Sequence, residues 1–280
     1  MYAKRRLLGK IMPMKEKMRR WKLLHARPLV RSTTRVPRPL RSTKQALLVG
    51  INYQGSSSAL YGCINDTVSM KERLLSKGFV CKTITDETDV KPTRMNILNA
   101  FKQLLMNAVD GDQLFFLYSG HGTSISDQSG DEIDRKDEAI IPSDKKRILD
   151  DELKSLLRYV KKGVTLFAMF DSCNSGTVLD LKYNYMDRIT GGNTVTTNSE
   201  TIGKVYMLSG CRDNQTSADA FIQNKSQGAM TWSLLESLKT ITTWRQLLQS
   251  MRNLLKKDGY SQVPQLSSGK ALNLDTPVYI

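Results

Sequence analysis

The sequence predicts an α/β fold: a mostly parallel central sheet with helices on both faces, preceded by a basic N-terminal extension. Three observations lead there. Short apolar runs recur along residues 45–280, each the length of a buried strand. Stretches with apolar residues at three-and-four spacing alternate with them, the pattern of helices between parallel strands. The net charge of +15 is confined almost wholly to the first 44 residues, which hold 15 Lys and Arg against Glu16 alone.

The elements follow in order. Residues 45–51 (QALLVGI) form a continuous apolar run and open the folded domain. Residues 63–77 place Ile64, Val68, Leu74 and Leu75 at helical spacing, and Gly78 stops them. Residues 79–85 alternate and predict a second strand. Residues 93–107 are a helix with Ile97, Leu98, Phe101, Leu104 and Leu105 inward. Residues 113–118 (QLFFLY) and 164–170 (VTLFAMF) are buried strands, with a helix over 150–160 between them. Residues 204–208 are a fifth strand, 230–239 and 243–257 are helices, and 278–280 form a final edge strand. Residues 181–203, rich in Asn, Thr and Gly, predict a flexible linker loop. No internal repeat is present.

Composition narrows the function. Residues 45–280 carry 27 Lys and Arg against 26 Asp and Glu, so the domain itself needs no polyanionic partner and no specific nucleic acid is expected. No apolar run approaches the roughly 20 residues that span a bilayer. The four cysteines (Cys63, Cys81, Cys173 and Cys211) are far apart with no CxxC pair. That argues against a thiolate zinc site and a disulfide framework, and for a reducing, intracellular and cytoplasmic setting.

In parallel sheets, sites gather at the carboxyl ends of the strands. After the third strand comes Ser119-Gly120-His121-Gly122, and after the fourth Asp171-Ser172-Cys173-Asn174-Ser175-Gly176. One strand end thus carries the domain's single histidine, and the next a cysteine among small residues. A cysteine nucleophile needs this pairing, because an imidazole must take the thiol proton and later protonate the leaving amine. Backbone N–H groups at Gly122 and Cys173 would face the oxyanion. The bland alternative is that the cysteine only packs and the histidine is structural.

Tyr118-Ser119-Gly120-His121-Gly122 followed by Asp171-Ser172-Cys173-Asn174-Ser175-Gly176 resembles the His and Cys motifs of metacaspases, a family of caspase-like cysteine proteases. Residues 60–66 (LYGCIND), 130–142 (GDEIDRKDEAIIP), 148–153 (ILDDEL) and 209–219 (SGCRDNQTSAD) agree with it, in order. The arrangement is similar to the type I form. The family usually has His after the cysteine where this chain has Asn174, a side chain that is not the general base.

The resemblance implies a caspase-like peptidase domain over 45–280, with Cys173 as nucleophile and His121 as acid/base. Peptide hydrolysis would run through an acyl-thioester. The family's acidic specificity pocket carries over to Cys63, Asp66, Ser119 and Asp171. A carboxylate pair holds Arg or Lys through charge-assisted bonds and repels Asp, so protein or peptide substrates cut after Arg or Lys are expected. Read without the family, Asp66 is a carboxylate favouring a helix N-terminus. A catalytically silent caspase-like scaffold is the alternative function. A monomer is expected by resemblance.

Residues 127–152 hold ten acids with five basic residues among them. Hard oxygen ligands suit calcium. An EF-hand starting at Asp127 fails, because Glu132 stands where the tight turn needs Gly. The family's calcium site carries over to Asp150, Asp151 and Asp180, with Asp137 as the fourth acid and Asp134 as its neighbouring alternative. The plain reading is a solvated acidic loop with a helix cap at Asp150. Self-cleavage in the family follows a basic residue in the linker, which makes Lys182 and Arg188 candidates.

Residues 1–44 are broken by Pro13, Pro28, Pro37 and Pro39. The spacing allows a short basic amphipathic helix over 5–24, followed by an extended linker. A flexible prosegment lying across the acidic pocket, mitochondrial or nuclear targeting, nonspecific anion binding and a plain solubilising arm all fit this composition.

Overall fold

Apolar runs and helical periodicities become alternating strands and helices. The structure is a computed structural model, and it describes residues 44–126, 136–172, 178–185, 193–210, 219–222, 225–278 and 280. Residues 1–43 of the expected prosegment, Cys173, Cys211 and Arg188 lie outside the described residues, and Lys44 opens the first strand.

The first half of the fold runs β1 (Lys44–Gly50), α1 (Cys63–Ser76), β2 (Val80–Thr85), α2 (Arg94–Asn107) and β3 (Gln113–Ser119). A small antiparallel sheet follows, built of β4 (Gly122–Ser126), β5 (Lys136–Ile140) and β6 (Ile148–Leu149). Then come α3 (Asp150–Leu156), a 3₁₀ turn over Leu157–Tyr159, and β7 (Thr165–Asp171). The expected helix over 150–160 therefore tightens in its last turn. Beyond it lie β8 (Tyr183–Tyr185), β9 (Asn193–Val195) and β10 (Lys204–Ser209). The hairpin β11 (Asp219–Ile222) and β12 (Lys225–Gly228) leads into α4 (Ala229–Ser237), α5 (Trp244–Lys257) and β13 (Gln265–Ser268).

The central sheet has eight strands in the order β2-β1-β3-β7-β10-β13-β8-β9. The first five are mutually parallel. β13 pairs antiparallel to β10, β8 to β13, and β9 to β8. Parallel neighbours need crossovers, and the helices supply them on both faces.

Period-two alternation sorts the strand side chains onto those faces. Leu47, Val49, Phe116, Tyr118, Ala168 and Phe170 face one core together with Ile97, Phe101 and Leu105 of α2 and Leu153 of α3. Leu48, Phe115, Leu117, Phe167 and Met169 face the other, with Met70 and Leu74 of α1, Met230 and Leu234 of α4, and Leu247 and Met251 of α5. Phe101 stacks on Phe116 with centroids 4.4 Å apart, and Phe167 on Trp244 at 5.5 Å. Burying each such ring contributes about 1.5–3 kcal/mol.

Local chemistry sets the helix ends. The Asn96 N–H donates to Thr93 Oγ1 at the start of α2, and Thr243 and Gln246 form a reciprocal capping box at the start of α5. Glu152 at the start of α3 accepts the Leu149 N–H. Where β1 ends, a side chain on Gly50 would collide with the Cys63 carbonyl and the Thr67 methyl, so glycine lets α1 start against the strand.

Three differences from the sequence expectations stand out. Residues 181–203 contain β8 and β9, which extend the central sheet, where a flexible linker was expected. Residues 265–268 (QLSS) form a fully buried strand that their polarity hides. At 278–280 no strand is described: residue 279 lies outside the described residues, Pro277 makes an isolated bridge with Thr243, the Val278 N–H donates to the Thr242 carbonyl, and the Ile280 carbonyl accepts from Arg73 Nη2. No helix among the described residues is long and apolar enough to cross a membrane.

Candidate active site

Parallel pairing aligns the carboxyl ends of β1, β3 and β7, and the motif residues fall there. Gly50 pairs with Ser119, and Ser119 with Asp171. The Gly120 N–H donates to the Asp171 carbonyl at 3.2 Å. His121, which follows Gly120, therefore stands at the sheet end where β7 finishes in Asp171 and Ser172.

His121 is pinned by its backbone. Its N–H donates to Tyr53 Oη at 2.9 Å, and its carbonyl accepts from the Ile141 N–H at 3.0 Å and from Tyr118 Oη at 2.9 Å. The Tyr53 ring lies against the imidazole with centroids 4.6 Å apart. On the ring itself, Nε2 sits 2.7 Å from the Ser58 carbonyl oxygen. A carbonyl oxygen only accepts, so Nε2 holds the hydrogen and Nδ1 is the basic nitrogen.

Tyr53 organises this cluster from an unusual backbone position, with φ of 50°. Asp86 holds it there: one carboxylate oxygen, Oδ2, accepts the N–H of Asn52 at 2.6 Å and of Tyr53 at 3.0 Å. Tyr53 Oη also donates to the Ile141 carbonyl and lies 3.1 Å from Tyr118 Oη. Burial pushes both phenols well above the ordinary value of 10.0. They therefore stay neutral through the physiological range and serve as hydrogen-bond hubs.

Beside the histidine strand lie two buried carboxylates. Asp66, on the first turn of α1, accepts from Ser119 Oγ at 2.7 Å through Oδ2 and from the Gly228 N–H at 2.9 Å through Oδ1. Asp171, at the end of β7, accepts both the Thr231 N–H at 2.9 Å and Thr231 Oγ1–H at 2.8 Å through Oδ2. Gly228 lies between them: one carbon atom added there would collide with Asp171 Oδ2 and Asp66 Oδ2 together. Cys63 is buried at the start of α1. Cys63, Asp66, Ser119 and Asp171 thus gather where α1 meets the sheet end.

The four acids expected to bind calcium are placed less completely. Asp150 and Asp151 open α3. The Asp150 carboxylate accepts the N–H of Glu138 and of Asp151, each at 2.8 Å. Asp180 Oδ2 meets Lys154 Nζ of the same helix at 3.1 Å. Asp137 lies in β5 opposite Ile125, and its side chain is outside the described residues. Among the described residues no three His, Cys, Asp or Glu side chains form a cluster able to hold a metal. Lys182, a candidate cleavage point, precedes β8 and accepts the Thr196 N–H on its carbonyl at 2.8 Å.

Sequence reasoning missed Ser58, Tyr53, Gly228 and Thr231. Ser58 acts through a main-chain carbonyl, which residue type does not mark. Tyr53 and Thr231 have ordinary signatures of packing, and only the geometry shows where their hydroxyls go.

Comparison with known proteins agrees with this arrangement. Residues 44–182 match the family model for the metacaspase, peptidase C14 domain. Metacaspase-2 of Trypanosoma brucei brucei is 38% identical over 269 residues, covering 83% of this chain and 75% of that protein. Metacaspase-1 of Mycosarcoma maydis is 35% identical over 296 residues, covering 84% of this chain and 73% of that one. Among solved structures, protein GSU0716 of Geobacter sulfurreducens superposes with a TM-score of 0.64 at 25% identity, covering 84% of this chain and 98% of its own. The Drosophila initiator caspase Dronc superposes with a TM-score of 0.51 at 11% identity, covering 85% and 83%, a likeness of fold.

Proposed function

The chain belongs to the metacaspase family of cysteine peptidases, and on that premise we propose that it is a calcium-dependent endopeptidase cutting after Arg or Lys. The observation that carries the specificity is the convergence of the Asp66 and Asp171 carboxylates on Gly228, at the sheet end that bears His121. Two buried carboxylates favour a guanidinium or ammonium and repel an acidic side chain.

The chemistry uses Cys173 and His121. With Nε2 bonded to the Ser58 carbonyl, Nδ1 of His121 takes the thiol proton. The thiolate adds to the scissile carbonyl carbon. The tetrahedral intermediate collapses as His121 returns that proton to the leaving amine, which leaves an acyl-thioester on Cys173. Water, deprotonated by the same nitrogen, releases the acid and restores the thiol.

The calcium donors in this reading are Asp150, Asp151 and Asp180, with Asp137. Their chemistry fits a hard cation, and Asp180 already holds one positive group, the Lys154 ammonium. Calcium would supply positive charge that draws these acidic segments together. Self-processing at Lys182 or Arg188 belongs to the same proposal.

The test is hydrolysis of fluorogenic peptides ending in Arg, Lys or Asp, with calcium and with chelator. Cleavage of the Arg and Lys peptides only, in calcium only, and its loss in Cys173→Ala, is expected. Equal rates with chelator refute the calcium dependence, and cleavage of the Asp peptide refutes the specificity.

A further inference from the structure

We infer that Thr231 is a specificity-positioning residue: by holding Asp171 it sets how the acidic pocket receives arginine. The inference rests on the proposed Arg/Lys specificity and adds a residue that the sequence motifs do not include.

The first N–H groups of a helix have no partner within it. At the start of α4 two of these main-chain donors are turned onto the acid pair. The Gly228 N–H goes to Asp66 and the Thr231 N–H to Asp171. Thr231 adds its hydroxyl to the same oxygen, Asp171 Oδ2. It is fully buried, and it stands 60 residues from Asp171 in sequence, so only the tertiary fold makes this contact.

Two donors on one oxygen take up both of its lone pairs. They fix the rotation of the carboxylate plane and hence the direction of its second oxygen. That direction matters unequally to the two basic side chains. A guanidinium is a rigid planar fork that needs its acceptors at set positions, whereas an ammonium is a compact point charge with rotating donors. Loosening Asp171 should therefore harm arginine recognition more than lysine recognition. The chemical step should be spared, because the N–H and the hydroxyl of Thr231 are both spent on Asp171.

The experiment compares wild type, Thr231→Val and Thr231→Ser in calcium, with matched Arg and Lys peptides. Valine keeps the volume and removes the hydroxyl; serine keeps the hydroxyl. For Thr231→Val the KM for the Arg peptide should rise about tenfold and that for the Lys peptide about threefold, with kcat within twofold on both. Thr231→Ser should restore the wild-type Arg-to-Lys ratio. If the valine variant lacks a cooperative melt, Thr231→Ala is read in its place. A wild type that prefers Arg, with a valine variant whose Arg-to-Lys ratio is unchanged or whose loss lies in kcat, overturns this inference alone. A wild type with no preference for basic residues overturns the pocket reading beneath it.

Discussion

Removing one oxygen atom from Tyr53 tests whether the histidine is held from behind. In Tyr53→Phe the ring against His121 stays, and three contacts of Oη disappear. Two of them have cover. The single Tyr118 Oη–H can turn to the Ile141 carbonyl at 3.0 Å, and the His121 carbonyl keeps the Ile141 N–H at 3.0 Å. The His121 N–H alone loses its acceptor. A stranded buried donor costs about 1–3 kcal/mol, and partial access to water at His121 keeps the cost near the lower end, about 1–2 kcal/mol. For a domain of this size that lowers Tm by roughly 2–8 °C. The catalytic cost should exceed the stability cost, because a small displacement of the base from the thiol lowers kcat by about 10- to 100-fold. Thermal unfolding and peptide hydrolysis in calcium read the two effects, with KM as the control for the pocket. A variant that melts lower but keeps kcat within twofold of wild type would refute the idea that Tyr53 positions His121.

Other perturbations give separable outcomes. Above pH 10 the unfolded chain releases phenolic protons that folded Tyr53 and Tyr118 retain, because burial raises both. Stability is therefore complete below pH 10 and declines as pH rises beyond it, by about 1.4 kcal/mol per pH unit for each phenol. Urea titrations between pH 8 and 11 should show that decline, and a shallower one in Tyr53→Phe. Asp180→Asn should abolish activation by calcium and, by breaking the Lys154 ion pair, lower the stability without calcium by about 1 kcal/mol, and a normal calcium response would remove Asp180 from the donor set. Gly50→Ala should destabilise by about 1–3 kcal/mol, measured by denaturant midpoint, since the new methyl meets the Cys63 carbonyl, which is backbone and has no side-chain rotamer to turn away.

Parts of this fold announce themselves in the sequence for a simple reason. Strands β1, β3, β7 and β10 are covered on both faces, so they read as apolar runs, and their ends place Ser119, His121 and Asp171 without coordinates. The periphery does not announce itself. β8 (YNY) and β13 (QLSS) join the sheet because a neighbouring ladder offers them backbone partners, and neither has a run of apolar side chains. The β4–β5 hairpin is polar for the same reason. Composition shows the side chain and not the ladder, so a segment rich in Asn and Thr looked like a linker where two short strands lie.

The site divides along the same line. Asp66 and Asp171 are legible as carboxylates at a helix start and a strand end, and what orients them is not. Ser119 comes from the strand beside Asp171, whereas Gly228 and Thr231 arrive from the far part of the chain on the junction of β12 and α4. Both α1 and α4 pack on the same face of the sheet, so Asp66 is oriented once both helices have docked and Asp171 once α4 has. Two carboxyl groups buried this close need donors directed at them. A displacement of the β12–α4 junction would take one main-chain donor from Asp66 and one from Asp171 at once. On the proposed Arg/Lys specificity, the packing of that junction and substrate binding are coupled, and substitutions that loosen the docking of α4 should weaken substrate binding even where they touch no carboxylate.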